Sequence, residues 1–289
     1  MFKNLMAFAL VLLTVTIAFG QENIPVLNRD QLNIDFSYDE KKQPSLFTLK
    51  NGELLNGKFR VNLGTGKYSS YTICNYKDGY KNGIMEHYSS GTLMMRAEYC
   101  MGLVCGVFDH YFRNGSPSQS KSFNKEQKLH GLVTNYRETD GKMLEKVNYK
   151  NGIKHGIQKT FYTDDKSTLS METNYVEGKK TGKETGYHKN GKISFIRHYK
   201  DDVYDGSYIT YFKTGGVEIE MTYKNGVLMG KEKMYRKAGD QTRLVLEKDH
   251  LDKNSEIWIY HNGSVPNKRY FIKKQEVTKE EFDKSIVRR

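Results

Sequence analysis

The chain has 289 residues, room for one or two domains, with 46 Lys and Arg against 34 Asp and Glu, a formal net charge of +12 and 37% hydrophobic residues. That apolar share is low for one large compact core, while 26 Gly, 21 Tyr, 14 Phe and only 4 Pro exclude the aromatic-poor composition of a disordered chain. A regular, aromatic-rich architecture is expected.

Residues 1–20 carry Lys3, the apolar run Leu5 to Phe19, and the small residues Ala18 and Gly20 before Gln21, the layout of a secretory signal peptide. The run is shorter than the roughly 20 apolar residues of a spanning helix. No Cys follows the cleavage point, which argues against a lipid anchor. Cleavage near Gly20 and export to the periplasm, the outer surface or the medium are expected. Residues 21–48 are polar and unrepeated, an N-terminal linker or capping segment.

Residues 49–265 repeat themselves, and a fixed period outranks any local reading. A unit opening Tyr-x-x-Gly-x-x-x-Gly stands at Tyr76, Gly79, Gly83; Tyr99, Gly102, Gly106; Tyr149, Gly152, Gly156; Tyr175, Gly178, Gly182; and Tyr223, Gly226, Gly230. Two degenerate copies fill the gaps, one from Phe123 with Gly131 a residue late, the other from Tyr199 with Asp202 replacing the first Gly before Gly206. Successive starts lie 23, 24, 26, 26, 24 and 24 residues apart. Each unit carries a second aromatic: Tyr88, Tyr111, Tyr136, Phe161, Tyr187, Tyr211 and Tyr235. Weaker copies flank these seven, from Leu49 with Gly52 and Gly57, and near Lys248 with Tyr260 and Gly263.

Asn-Gly pairs within the units are strong hairpin signals, because both central positions of a type I′ turn need positive φ. Between turns the side chains alternate. Leu93, Met95, Ala97 and Tyr99 are expected on one face, with Met94, Arg96 and Glu98 on the other. Val217, Ile219, Met221 and Tyr223 alternate in the same way with Glu218, Glu220 and Thr222, as do Leu169, Met171, Thr173 and Tyr175 with Ser170, Glu172 and Asn174. Period two with one apolar face predicts half-buried antiparallel strands. The expected fold class is all-β: an elongated antiparallel β-meander of tandem β-hairpins, roughly 75 Å long for eight units, twisted along its length and in need of end caps.

The Tyr-Lys-Asn-Gly-x-x-x-Gly core with a following Tyr, at Tyr149 to Gly156 and Tyr223 to Tyr235, resembles the MORN repeat in the variant common among bacterial proteins, over roughly residues 49 to 265. The resemblance implies a ribbon of β-hairpins serving as a protein or lipid interaction scaffold. Some bacterial members of that family are antitoxin or immunity components, which gives an alternative role, neutralising an exported toxin.

Residues 266–289 are expected to add a strand and a short capping helix. Thr278-x-x-Glu281 has capping-box spacing ahead of Lys279 to Ile286, with Phe282 and Ile286 on one side. The basic end, Arg288-Arg289, also reads as a docking tail.

Three cysteines, Cys74, Cys100 and Cys105, leave at least one without an internal partner. Cys100 and Cys105 flank a hairpin loop, so the spacing admits a disulfide or two small buried thiols. The stretch Gly64-Thr65-Gly66-Lys67 lacks the Gly and the Ser or Thr of a phosphate loop, with Val61 and Tyr68 in their places. His87 and His110 share a position in adjacent units, yet about 9.6 Å of strand spacing separates them, too far to share a zinc ion. No Gly-x-Ser-x-Gly elbow is present. Glu218 and Glu220 read as a solvated face, not as a glycosidase pair. No catalytic, cofactor or metal centre is expected, and no enzyme.

The basic charge is interleaved with carboxylates and the chain is expected to be exported, which disfavours nucleic acid. Anionic lipid or polysaccharide remains compatible with it. An apolar sheet face left wet forfeits stability at about 25 cal/mol per Å². The leading expectation is therefore a noncatalytic exported scaffold that meets a protein partner or a second copy of itself.

Overall fold

The computed structural model describes residues 23–35, 44–64, 66, 69–163, 168–251 and 254–287. The expected signal peptide and the Arg288-Arg289 end lie outside the described residues. Twenty-one strands form one sheet and two more form a small separate hairpin. From Gly57–Asn62 onward, each strand pairs antiparallel with its neighbour in sequence, through to Gln275–Val277. Strands stacked about 4.8 Å apart give this meander a contour of about 90 Å.

Each repeat contributes two strands and two turns, and outside the unit from Tyr76, whose far turn Ser90-Gly91 also has two positive φ values (49° and 80°), the two turns differ in construction. After the first Tyr, the chain reverses through two successive residues of positive φ, as at Asp78 and Gly79 (50° and 78°) or Asn225 and Gly226 (48° and 78°). That is the predicted type I′ turn, whose twist matches the strands it joins. The unit from Tyr199 keeps the geometry without glycine, with Asp201 at 51° and Asp202 at 68°. The other far turns differ. At Asn114-Gly115 and Asn190-Gly191 only the glycine has positive φ, and its N–H donates to the carbonyl three residues back, Phe112 (2.9 Å) or His188 (2.8 Å). These Asn-Gly pairs are three-residue loops with a left-handed glycine, not type I′ turns. The unit from Phe123 uses such a loop at its first turn, with Gln127 at φ 59°, and this accounts for its late glycine.

Successive first turns are stitched together. The N–H of the residue at the first-Gly position donates to a carbonyl of the preceding unit, as in Gly102 to Lys81 (2.7 Å), Gly178 to Lys154 (2.9 Å), Asp202 to Lys180 (3.0 Å) and Gly226 to Tyr204 (2.8 Å). The second Gly lies where the strand bulges: Cys74 pairs with Met85 but Tyr76 pairs with Lys81, so Asn82 to Ile84 oppose Asn75 alone. Gly83, Gly131, Gly156, Gly182, Gly206 and Gly230 all have positive φ. Gly106 does not, and a Cβ there would meet the Glu98 carboxylate.

Both ends of the sheet are closed by short segments. Strand Val26–Asn28 pairs in parallel with Gly57–Asn62, and the hairpin of Leu32–Asp35 with Leu46–Leu49 is the separate small sheet. Leu32, Phe47 and Leu55 bury themselves with Val61, Cys74, Tyr76, Met85 and Ala97 of the first strands, the main core of the molecule. Phe47 lies 5.1 Å from Tyr76 between ring centroids, and its N–H donates to Gly79 (2.8 Å). Over the first units one sheet face is thus capped, while the other carries no such cap among the described residues. At the far end helix Lys279–Val287 starts with the predicted capping box, the Thr278 N–H donating to Glu281 Oε2 (2.9 Å) and the Glu281 N–H to Thr278 Oγ1 (3.3 Å). Phe282 is 1% exposed against Tyr270; the Ile286 side chain lies outside those described. Three-residue edge strands at both ends leave little unpaired backbone on which another chain could add.

The expectation of one apolar face fails in two ways. Met95 pairs with His87, but Leu93 pairs with Tyr88, because Met94 is an extra residue in a one-residue bulge. Ser170 and Glu218 are extra in the same way, so Leu169 pairs with Phe161 and Val217 with Tyr211. A one-residue slip sends the side chains beyond it to the other face, so Leu93, Leu169 and Val217 do not share the face of Met95, Met171 and Ile219. The two aromatic rows also part company, the first Tyr on the capped face and the second aromatic on the uncapped one.

Candidate binding surfaces

On the capped face the first-Tyr row is occupied by its own neighbours. Lys81 Nζ sits 5.1 Å over the Tyr99 ring, Lys154 5.0 Å over Tyr175, and Lys180 5.0 Å over Tyr199. Tyr204 takes the lysine's place in the next unit, 4.8 Å from Tyr199 and 5.3 Å from Tyr223 between centroids. The result is a ladder of alternating rings and cations, each contact worth about 0.5–1 kcal/mol at partly exposed sites.

Beside this ladder the register places one residue per strand in a central row, and its chemistry changes along the molecule. Phe59, Cys74, Met85, Ala97 and Phe108 lie next to one another under or beside the cap. Farther on the row is polar: Gln158, Thr173, Glu184 and Arg197. Glu184 is 1% exposed and collects Lys180 Nζ at 2.9 Å, Thr173 Oγ1 at 3.0 Å, Tyr199 OH at 3.2 Å and Arg197 Nε at 3.4 Å. A buried carboxylate needs such partners. Arg197 continues the network, donating to the Tyr204 hydroxyl at 3.0 Å. Burial, the hydrogen bond with Tyr204 and the Glu184 charge raise the pKa of Tyr199, while the Tyr199 hydrogen bond and the Arg197 guanidinium lower that of Tyr204.

Between cap and network a concavity of about 430 Å³ is lined by residues including Gln119, Phe123, Val133, Asn135, Glu145, Tyr149 and Lys154. Its polar groups bind one another: Gln119 Nε2 donates to Asn135 Oδ1 (2.7 Å), Asn135 Nδ2 to Glu145 Oε2 (2.9 Å), and Gln158 Nε2 to Glu145 Oε1 (2.5 Å).

On the uncapped face the second aromatics form cross-strand pairs: Tyr88 with Leu93, Tyr111 with Pro117, Tyr136 with Met143, Phe161 with Leu169, Tyr187 with Ile193, Tyr211 with Val217 and Tyr235 with Leu244. Such pairs contribute about 0.2–1 kcal/mol each. Tyr88, Tyr187 and Tyr235 also donate to Glu86, Glu172 and Glu220 at 3.0, 3.1 and 3.0 Å. Parallel to them runs a row without such cover. Ile84, Val107, Leu132 and Ile157, one per unit, are 38%, 45%, 43% and 50% exposed. The corresponding residues of the following units are Lys183, Ser207 and Lys231.

Candidates for chemistry resolve into structural contacts. His198 Nδ1 lies 2.9 Å from Ser207 Oγ, the spacing of a nucleophile and its base, but it also meets the Ser207 carbonyl at 3.2 Å. Asn148 and Asn174 occupy the same place and donate to the Ile157 and Thr181 carbonyls (3.1 and 2.8 Å), so this position caps the bulge. His87 and His110 lie in one row with Met95 between them, burial lowering the pKa of each. Glu218 meets Thr210 (3.4 Å) while Glu220 meets Tyr235. Thr65 and Lys67 of the glycine-rich stretch lie outside the described residues. Among the described residues no group of three or more His, Cys, Asp and Glu is placed to hold a metal ion. Cys100 and Cys105 are joined by a disulfide across their hairpin, Cα–Cα 5.7 Å, and Cys74 is a buried free thiol whose pKa burial pushes up to about 12.

The MORN repeat variant family matches residues 180–201 and 204–225, the two units that hold Glu184, Arg197 and the Tyr199–Tyr204–Tyr223 stack. No curated protein matches the chain. The two matched segments are MORN-variant repeats, and the turn stitching and Tyr ladder extend their construction toward the N-terminus along a repeat scaffold.

Proposed function

We propose that this protein is a noncatalytic, exported scaffold that docks a protein partner on its uncapped face. The observation that carries the reading is the row Ile84, Val107, Leu132 and Ile157. Four aliphatic side chains stand in line at about 9.6 Å intervals, 38–50% exposed, where later units place polar residues. With Glu98, Ser122 and Asn148 on the strands between them, they form one stripe of alternating apolar and polar groups that a partner strand or helix can follow. The first-Tyr row, a natural candidate from sequence, is engaged by Lys81, Lys154 and Lys180 and offers less. Export is supported by the leader-like N-terminus and by the Cys100–Cys105 disulfide, since disulfides persist in oxidising compartments.

A photo-crosslinking side chain at Leu132, with a second probe at the partly exposed Ile219 on the capped face as control, tests this in cells. One product specific to position 132, abolished by I157K, is expected. Equal products from both positions, or a product indifferent to I157K, would refute the reading.

A further inference from the structure

We propose that the far-turn edge of the sheet binds a linear acidic polysaccharide carrying one carboxylate per two sugars, through a single file of cations one repeat apart. Lys189 and Lys213 occupy the same place in successive far turns, two residues after Tyr187 and Tyr211, and Lys237, two residues after Tyr235, continues the file from the strand Gly230–Ala238; the equivalent residues of the earlier units are Ser90, Arg113, Glu138 and Thr163. Two strands separate Lys189 from Lys213, and two more separate Lys213 from Lys237, about 9.6 Å in each case. The file is densest at its C-terminal end. Segments 188–192, 213–216 and 236–240, the last comprising a strand end and its turn, hold five cations, adding Lys192 and Arg236, against the single carboxylate of Asp240.

Local contacts fix the spacing and leave the C-terminal charges unmatched. Asn190 Nδ2 donates to the Lys213 carbonyl at 2.8 Å, tying one turn to the next, as Asn114 Nδ2 ties its own to Glu138 at 3.0 Å. Lys192 Nζ donates to the Thr214 carbonyl at 2.8 Å, and Lys189 Nζ lies 5.8 Å over the Tyr162 ring. Among the described residues Lys189, Lys213 and Lys237 make no ion pair, whereas Lys224 near the opposite edge is matched by Asp205 at 3.1 Å. That edge interleaves its lysines with acids, as in Lys200-Asp201-Asp202.

Periodicity and twist select the occupant. An extended glycan with alternating neutral and acidic sugars presents one carboxylate for each pair of rings, close to the separation of the cations. A polymer acidic at every sugar would bring twice the charges the file can match. Sheet twist of about 20–25° per strand turns the edge by about 90° between Lys189 and Lys237. A flexible chain can follow that path, whereas a flat bilayer meets only part of it.

Titration calorimetry of the purified protein with hyaluronan oligosaccharides at low ionic strength tests the proposal. Binding that weakens with salt is expected. The triple variant K189E/K213E/K237E should lower affinity roughly ten- to hundredfold, and K213Q alone by about threefold, as exposed ion pairs are lost. K77E/K150E/K200E, with the same change of net charge at the opposite edge, should leave affinity unchanged. Absence of hyaluronan binding, equal losses in both triples, or binding confined to phosphatidylglycerol vesicles would each overturn it. None of these variants touches the Ile84–Ile157 row, so failure here leaves the protein-docking reading standing.

Discussion

Replacing Glu184 should destabilise the middle of the array and little else. The carboxylate is 1% exposed and neutralises Lys180 and Arg197 while accepting from Thr173 and Tyr199. Breaking a fully buried ion pair costs about 3–5 kcal/mol. Here the Lys180 and Arg197 side chains keep 31% and 23% of their surface in water, so solvent offsets part of the loss. About 2–3 kcal/mol is expected for Glu184→Ala, and about 1–2 for Glu184→Gln, which keeps an acceptor for Thr173. Glu172→Ala is the control; that side chain is 29% exposed, faces the other way and pairs with a Lys159 that is 38% exposed, a contact worth under about 1 kcal/mol. Repeat arrays open locally, so the assay is native-state amide exchange resolved by strand. Lost protection should centre on Leu169–Val176, Lys179–Tyr187 and Ile193–Lys200. A Glu184→Ala effect no larger than that of Glu172→Ala, or one spread evenly over all units, would refute the argument.

Asp202→Gly should be close to neutral: it relieves a left-handed residue by about 1 kcal/mol but loses the bond from the Lys180 N–H to Asp202 Oδ1 (2.8 Å), whereas Asp202→Val, with neither compensation, should cost about 2–3 kcal/mol in denaturant titrations. Reducing the Cys100–Cys105 disulfide, or Cys105→Ser, should cost at most about 2 kcal/mol for so small a loop and speed exchange only in strands Thr92–Cys100 and Leu103–Tyr111. Burial raises the pKa of Cys74 from 9.0 to about 12 and also raises that of Tyr76, so their protonated forms add stability below pH 9 that is lost as pH climbs toward 12. Thiol titration of the native oxidised protein at pH 8 should accordingly find Cys74 unreactive until denaturant is added. Deleting residues 175–222, two whole units, should shorten the particle by about 19 Å in solution scattering while it stays folded; loss of the β signal in circular dichroism would contradict modular stacking.

Much of this molecule is written locally. The period, the paired strands and the first-turn geometry arise from Tyr, Gly and Asn at fixed intervals, because a type I′ turn needs positive φ at two adjacent residues and few residues supply it cheaply. The terminal capping box is equally local, Thr278 and Glu281 bonding to each other within four residues of chain. Face assignment is not. Met94, Ser170 and Glu218 look like ordinary members of an alternating strand, and only pairing reveals them as extra residues that send Leu93, Leu169 and Val217 to the opposite side. Strand alternation counts residues, whereas a sheet counts pairs, and one bulge separates the two counts. Long-range packing likewise decided that Leu32 and Phe47 cover the first units, and that Thr173 and Arg197, from the two flanking strands, converge on Glu184. Those partners lie in different strands, brought together by the stacking of hairpins and by no pattern within any one of them.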